Sequence, residues 1–135
     1  MDRTLVICKP DAVERGLVGA VVGRIESKGL RLVACELRAI DVETAERHYD
    51  EHRDKPFFEH LVRFITRSPV VLLVVEGPRE TWGVLRSLMG PTDPLEAAPG
   101  TIRGDLGLDR TENLVHGSDS PESAEREIRL FFPDL

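Results

Sequence analysis

Two cysteines are all this chain has, Cys8 and Cys35, and each sits inside an apolar run. That excludes a disulfide framework, and neither thiol has a second metal ligand at a recognised spacing. Both read as small buried hydrophobes in a reducing compartment. No stretch approaches the ~20 apolar residues needed to cross a bilayer. The opening Met1-Asp2-Arg3-Thr4 leads into an apolar segment too short for a signal-peptide core. No membrane partner is expected, and the expected location is cytoplasmic. Excess positive charge is missing too. The net charge of −6 argues against non-specific binding to nucleic acid. Lysine is especially scarce, three against fifteen arginines. Arginine's planar fork suits bidentate phosphate contacts, although solvated helix faces account for most such residues. Absent as well are G-x-x-x-x-G-K-[ST] and G-x-G-x-x-G, since Gly16, Gly19 and Gly23 fit neither spacing. A phosphate site, if there is one, must be made of side chains and helix starts.

What is present fits one domain over residues 1–135, long enough to bury a core without staples. Its composition, 41% hydrophobic and 31% charged, is that of a globular domain. Leu5-Val6-Ile7-Cys8 reads as a buried strand stopped by Lys9-Pro10-Asp11. Apolar residues recur at helical spacing from Gly16 to Lys28, and Gly29 ends that helix. Leu30 to Ile40, with Arg31, Glu36 and Arg38 among its apolar residues, fits a longer, half-exposed strand. Asp41 is placed to cap a helix carrying Ala45, His48, Tyr49 and His52. A further helix after Lys55-Pro56 holds Phe57, Leu61, Phe64 and Ile65. The β-branched run Val70–Val75 is the strongest strand signal, followed by a helix over Arg79–Met89. Gly90 to Asp109, with four glycines and three prolines, reads as one long functional loop. Asn113-Leu114-Val115 offers a short last strand, and Ser120-Pro121 starts a helix that runs to about Phe132. The resulting β-α-β-α-α-β-α-β-α order predicts an α/β (α+β) fold: a ferredoxin-like four-stranded antiparallel sheet covered by helices, with inserted helices and a long loop.

Two clusters have chemistry in reach. His48 and His52 are four apart on a predicted helix, a spacing that can pinch a metal, but the order is not H-E-x-x-H and no third ligand follows. A charge-laced solvated face is the better reading there. The sharper signal is Asn113-Leu114-Val115-His116-Gly117-Ser118-Asp119-Ser120, a histidine after a strand and before a helix. That helix supplies Glu122, Glu125 and Glu127, any of which can orient one ring nitrogen and leave the other free to attack.

That run resembles the active-site signature of nucleoside diphosphate kinases. Lys9-Pro10-Asp11-Ala12-Val13, Arg15-Gly16-Leu17-Val18-Gly19, His48-Tyr49 with Lys55-Pro56-Phe57-Phe58, and the segments Leu88–Pro94 and Pro99–Asp105 resemble further blocks of the family, in order along the whole chain. The resemblance implies phosphoryl transfer from a nucleoside triphosphate to a diphosphate by a ping-pong route through phosphorylated His116. Broad base specificity and upkeep of triphosphate pools go with it. It implies that Lys9 contacts the phosphate and ribose, Asn113 the ribose, and Arg86, Thr92 and Arg103 the phosphates. Phe57 is implied to stack on the base, with Tyr49 near the histidine, Glu127 orienting it and Ser118 supporting Glu127. Mg2+ is implied to arrive on the nucleotide, and the assembly is implied to be a homo-oligomer, a hexamer ahead of a tetramer. A nucleotide-sensing module without turnover is the rival, against which an intact His116, Lys9 and Glu127 argue. Ala12, Ser68-Pro69 and Arg110 depart from the family pattern. Arg110 lies between Asp109 and Glu112, and a surface ion pair is the reading favoured for it over contact with a base.

Overall fold

The computed structural model describes all residues, Met1–Leu135. Four strands, β1 (Asp2–Cys8), β2 (Arg31–Arg38), β3 (Val70–Gly77) and β4 (Val115–Gly117), form one sheet in the order β2-β3-β1-β4. Every neighbouring pair is antiparallel. Seven helices surround it: α1 (Pro10–Glu14), α2 (Val18–Ser27), α3 (Val42–His48), α4 (Phe58–Ile65), α5 (Thr81–Met89), α6 (Ile102–Leu106) and α7 (Pro121–Phe131). The expected ferredoxin-like sheet with inserted helices is what forms.

Each of the two central strands carries an unbroken apolar run, Leu5–Cys8 and Val70–Val75, because both faces of the sheet are covered there. Side chains alternate across a strand, so Val6 and Cys8 point to one face and Leu5 and Ile7 to the other. The first pair joins Val71, Leu73 and Val75 in a core closed by Val21 and Ile25 of α2, Leu85 and Met89 of α5 and Ile102 of α6. The second joins Val70, Leu72 and Val74 under Ala45 of α3, Val62 and Ile65 of α4 and Phe131 of α7. β1 thus lies between two cores with β4 on its outer side, a rigid seat for whatever β4 carries.

Several local expectations shift. The first helix begins at Val18 and is preceded by α1, because Pro10 pre-sets the backbone for a helical turn just after the strand. The helix meant to hold His48, Tyr49 and His52 ends at His48. Tyr49 caps it and packs inward, and a 3-10 turn over Asp50–His52 follows. Phe57 sits before α4 rather than in it. The long loop is broken by a 3-10 turn at Pro94–Glu96 and by α6, whose first N–H groups are capped by the Thr101 hydroxyl. The last strand is displaced to Val115–Gly117, since Leu114 has a positive φ of 76° that no strand accepts. Cys8 is buried as expected, but Cys35 is exposed, on the edge strand β2.

Candidate active site

β4 places His116 opposite Ile7, in the middle of its three residues. The segment that follows turns into α7, started by Pro121 and capped by the Ser120 hydroxyl accepting from the Ser123 N–H at 3.0 Å. Nearly two turns along α7, Glu127 returns to the histidine. Its carboxylate lies 3.1–3.2 Å from His116 Nε2, and the Ser118 hydroxyl donates to it at 2.6 Å. Burial by itself raises a carboxyl's pKa. Here the His116 hydrogen bond and charge, with His48 and Ser118, outweigh it and bring Glu127 down to about 2. An ionised Glu127 accepts the proton on Nε2. That fixes the tautomer and leaves the Nδ1 lone pair free, and Nδ1 makes no hydrogen bond with the chain. Of the three acids offered by α7 in the sequence, Glu127 is the one that reaches back.

His48 stands edge-on to His116, ring centroids 4.7 Å apart, and to Tyr49 at 4.6 Å. It is buried with neither ring nitrogen hydrogen-bonded. Burial first, and then the neighbouring His116, push its pKa down to about 3, so it is neutral. His48 therefore lines the site from inside, while half-exposed His52 lies beside Phe57. The two histidines form no metal pair with each other. Burial also pushes the Tyr49 phenol up, with the Glu127 charge adding to it.

The cleft over this constellation, about 120 Å³, is lined among others by Tyr49, Arg86, His116, Asp119 and Glu127. A larger groove of about 600 Å³ between α3 and α7 is lined mainly by charged side chains and does not include His116. α5 delivers Arg86, whose Nη1 donates to the Gly117 carbonyl at 3.1 Å. The absent side chain at Gly117 leaves room for the Met89 methyl, which a Cβ there would push aside.

Lys9, Asn113 and Arg103 form an adjoining network. Lys9 Nζ donates to Asn113 Oδ1 at 2.8 Å, and the Asn113 amide donates to the carbonyls of Thr92 and Arg110 at 2.8 and 3.0 Å. Burial, then the Arg103 charge, bring the Lys9 ammonium down to about 8. Arg103 is buried and donates to three carbonyls, those of Gly90, Asn113 and Val115. Its guanidinium is a strut for this turn as well as a cation near Arg86, and burial with that neighbour lowers its pKa to about 10. Thr92 is exposed at the rim, and Phe57 is 45% exposed beyond His52.

The expected Arg110 ion pair does not form. The Asp109 carboxylate is spent on the backbone N–H groups of Thr111 and Glu112, and the Glu112 carboxylate on Arg67. Arg110 is exposed with no acidic partner. Sequence reasoning gave no part in the chemistry to two residues at the site, the neutral His48 and the buried Asp11. His48 drew notice only for its spacing to His52 and as part of the His48-Tyr49 block, and Asp11 only as part of the Lys9–Val13 block.

The chain is similar to known proteins along its whole length. The family model described as nucleoside diphosphate kinase matches residues 2–135. A nucleoside diphosphate kinase from Thermobifida fusca is 63% identical over 135 residues, covering 100% of this chain and 99% of its own. One from Saccharopolyspora erythraea is 64% identical over 99% of this chain and 98% of its own. Among solved structures, a halophilic nucleoside diphosphate kinase from Halobacterium salinarum in complex with CDP matches with a TM-score of 0.94. It is 53% identical, over 98% of this chain and 88% of that one. The chain belongs to the nucleoside diphosphate kinase family, enzymes that pass a terminal phosphoryl group from a nucleoside triphosphate to a nucleoside diphosphate.

Proposed function

We propose that the transfer runs in two halves through His116. The Nδ1 lone pair attacks the terminal phosphorus in line, the bond to the bridging oxygen breaks, and the diphosphate leaves with that oxygen. A second diphosphate then attacks the phosphohistidine with a terminal oxygen and regenerates the imidazole. The observation that carries this reading is the Glu127 grip on Nε2, which frees Nδ1 and stabilises the positive charge the ring acquires.

The other residues serve alignment and charge neutralisation, the main needs of phosphoryl transfer. In this reading Arg86, Arg103 and Thr92 hold phosphate oxygens, Lys9 reaches the transferred phosphate and ribose, and Asn113 the ribose. Half-exposed Phe57 stacks on the base, which tolerates any base because each has an apolar face. Kinases of this kind use a divalent cation, and we take it to be Mg2+. Glu127 and Asp119, the carboxylates beside His116, are engaged by His116, Ser118 and Ser123. Magnesium would therefore come with the nucleotide, with few or no direct ligands from the chain, and would supply charge neutralisation there.

We also propose a homo-oligomer, a hexamer ahead of a tetramer. Support comes from Leu95 and Leu108 in the long loop, 74% and 79% exposed, and from the uncovered edge strand β2 with Leu37 64% exposed. A cytoplasmic location, beside the nucleotide pools, goes with the reading. His116→Ala is expected to abolish transfer while leaving nucleotide binding and melting temperature nearly unchanged. More than trace turnover in a clean preparation refutes the covalent route. Light scattering that returns a monomer mass at micromolar concentration refutes the assembly.

A further inference from the structure

Leu114 is one of two non-glycine residues with positive φ, at 76°, and its side chain is fully buried. The Val115 N–H donates to the Asn113 carbonyl at 2.9 Å, two residues back. An i→i+2 hydrogen bond around a central residue at this φ is a γ-turn of the strained, rarely populated hand. Such a turn persists only where its surroundings hold it. It falls between Asn113 and His116, so its shape sets how both side chains are aimed.

The surroundings are specific. The Leu114 N–H donates to Asp11 Oδ2 at 3.0 Å, across 103 residues of sequence. The Leu114 carbonyl accepts from the Lys9 N–H at 2.9 Å. Arg103 donates to the carbonyls on either side, Asn113 at 3.2 Å and Val115 at 2.6 Å. The N–H at the apex of the turn is thus held by a side chain, and that side chain is buried Asp11, whose other oxygen, Oδ1, has no hydrogen-bond partner. A buried carboxylate oxygen left unpaired disfavours that position, so keeping the acid there is consistent with work done by Oδ2.

We infer that Asp11 is a positioning residue for phosphoryl transfer: its carboxylate holds Leu114 in the left-handed turn and through it aims Asn113 at the nucleotide and His116 at the phosphorus. The inference rests on the reading of His116 as nucleophile. Position, rather than charge, is what the turn requires of residue 11. An amide oxygen at the same place accepts the same N–H, whereas a carboxylate one methylene further out does not fit.

The test compares Asp11→Asn, Asp11→Ala and Asp11→Glu by single-turnover labelling with radioactive nucleoside triphosphate and by steady-state KM for a diphosphate. Asp11→Asn is expected to stay within about threefold of the wild type in both. Asp11→Ala and Asp11→Glu are expected to raise KM at least fivefold and to slow the first-order labelling constant at least tenfold. A purely structural loss lowers only the fraction of protein that labels, leaving KM and the rate constant of the rest unchanged, and that pattern overturns the inference. Rate constants and KM within twofold of wild type for Asp11→Glu overturn it as well, and this variant decides if Asp11→Ala fails to fold. Failure of the wild type itself to take up label sinks the nucleophile reading instead, so the two failures are distinct.

Discussion

Replacing His48 by phenylalanine should remove most of the acid sensitivity of this fold between pH 6.5 and 4.5. The imidazole is buried, 3% exposed, with its pKa lowered from 6.5 to about 3. Burial is the main cause, and the adjacent His116 adds to it. In the unfolded chain the ring takes up a proton near pH 6.5, while in the folded chain it refuses one until about pH 3. The unfolded state therefore binds one more proton in that window, and stability rises with pH across it. His48's contribution is fully present above pH 6.5 and drains away as pH falls toward 3. The slope is ~1.4 kcal/mol per pH unit, so roughly 2–3 kcal/mol are lost between pH 6.5 and 4.5. Against a typical total of ~5–15 kcal/mol, urea unfolding at a series of pH values resolves that loss. Phenylalanine keeps the ring shape against His116, Tyr49 and Phe131 and does not titrate. The His48→Phe curve should run flatter than the wild-type curve by about one proton. Below pH 4.5 both should also fall because Glu127, held at about 2, refuses a proton that the unfolded chain accepts, with the wild type staying about one proton steeper until pH 3. Identical slopes for the two proteins between pH 6.5 and 4.5 would refute the claim that His48 is kept neutral by its burial beside the nucleophile.

Three further outcomes follow from the same geometry. Lys9, lowered to about 8 by burial and then by Arg103, should lose its charge above that pH, so KM for the triphosphate should climb through pH 8–9. Lys9→Arg should flatten that climb, and an equal rise in both proteins contradicts the assignment. Phe57→Ala should weaken diphosphate binding by ~1–3 kcal/mol, roughly 5- to 150-fold, for purine and pyrimidine alike. Because the ring is 45% exposed, the melting temperature should barely move, and calorimetric titration showing unchanged affinity counts against stacking. Ser118→Ala removes a 2.6 Å hydrogen bond to a buried carboxylate and should cost ~1.5–3 kcal/mol in urea unfolding along with a fall in the labelling rate. A stability change under 0.5 kcal/mol would mean that Glu127 does not depend on it.

The sheet was legible because β1 and β3 carry unbroken apolar runs, and the valine-rich Val70–Val75, bounded by Ser68-Pro69 and Gly77-Pro78, suits a strand buried on both faces. The β2 strand was legible along with its half-exposed character, from the charged Arg31, Glu36 and Arg38 among its apolar residues. Cys35 alone was misplaced, since it resembles core in the sequence but is exposed on the edge strand. His116 could be found because strand, glycine and capping serine follow in a readable order. Helix spacing left Glu122, Glu125 and Glu127 open; the family resemblance singled out Glu127, and it is the one in contact with His116. The parts that were not legible depend on contacts far apart in sequence. Asp11 meets Leu114 across 103 residues and Arg103 bridges Gly90 to Val115, and neither spacing has a local signature. The Arg110 ion pair was misjudged because adjacent acids were counted as partners. Turn geometry spends Asp109 on backbone N–H groups, and Arg67 takes Glu112.

The central claim, a nucleophilic Nδ1 on His116 freed by Glu127, is tested most directly by isolating the first half-reaction. The protein is incubated with Mg2+ and terminally labelled triphosphate, separated from nucleotide, and divided in two. One half is challenged with acid, and the other is chased with an unlabelled nucleoside diphosphate of a different base. The account requires one label per chain on His116, lost in acid, stable in alkali and delivered to the second diphosphate within a turnover. Label that survives acid, that persists in His116→Ala, or that fails to pass to the diphosphate would contradict it.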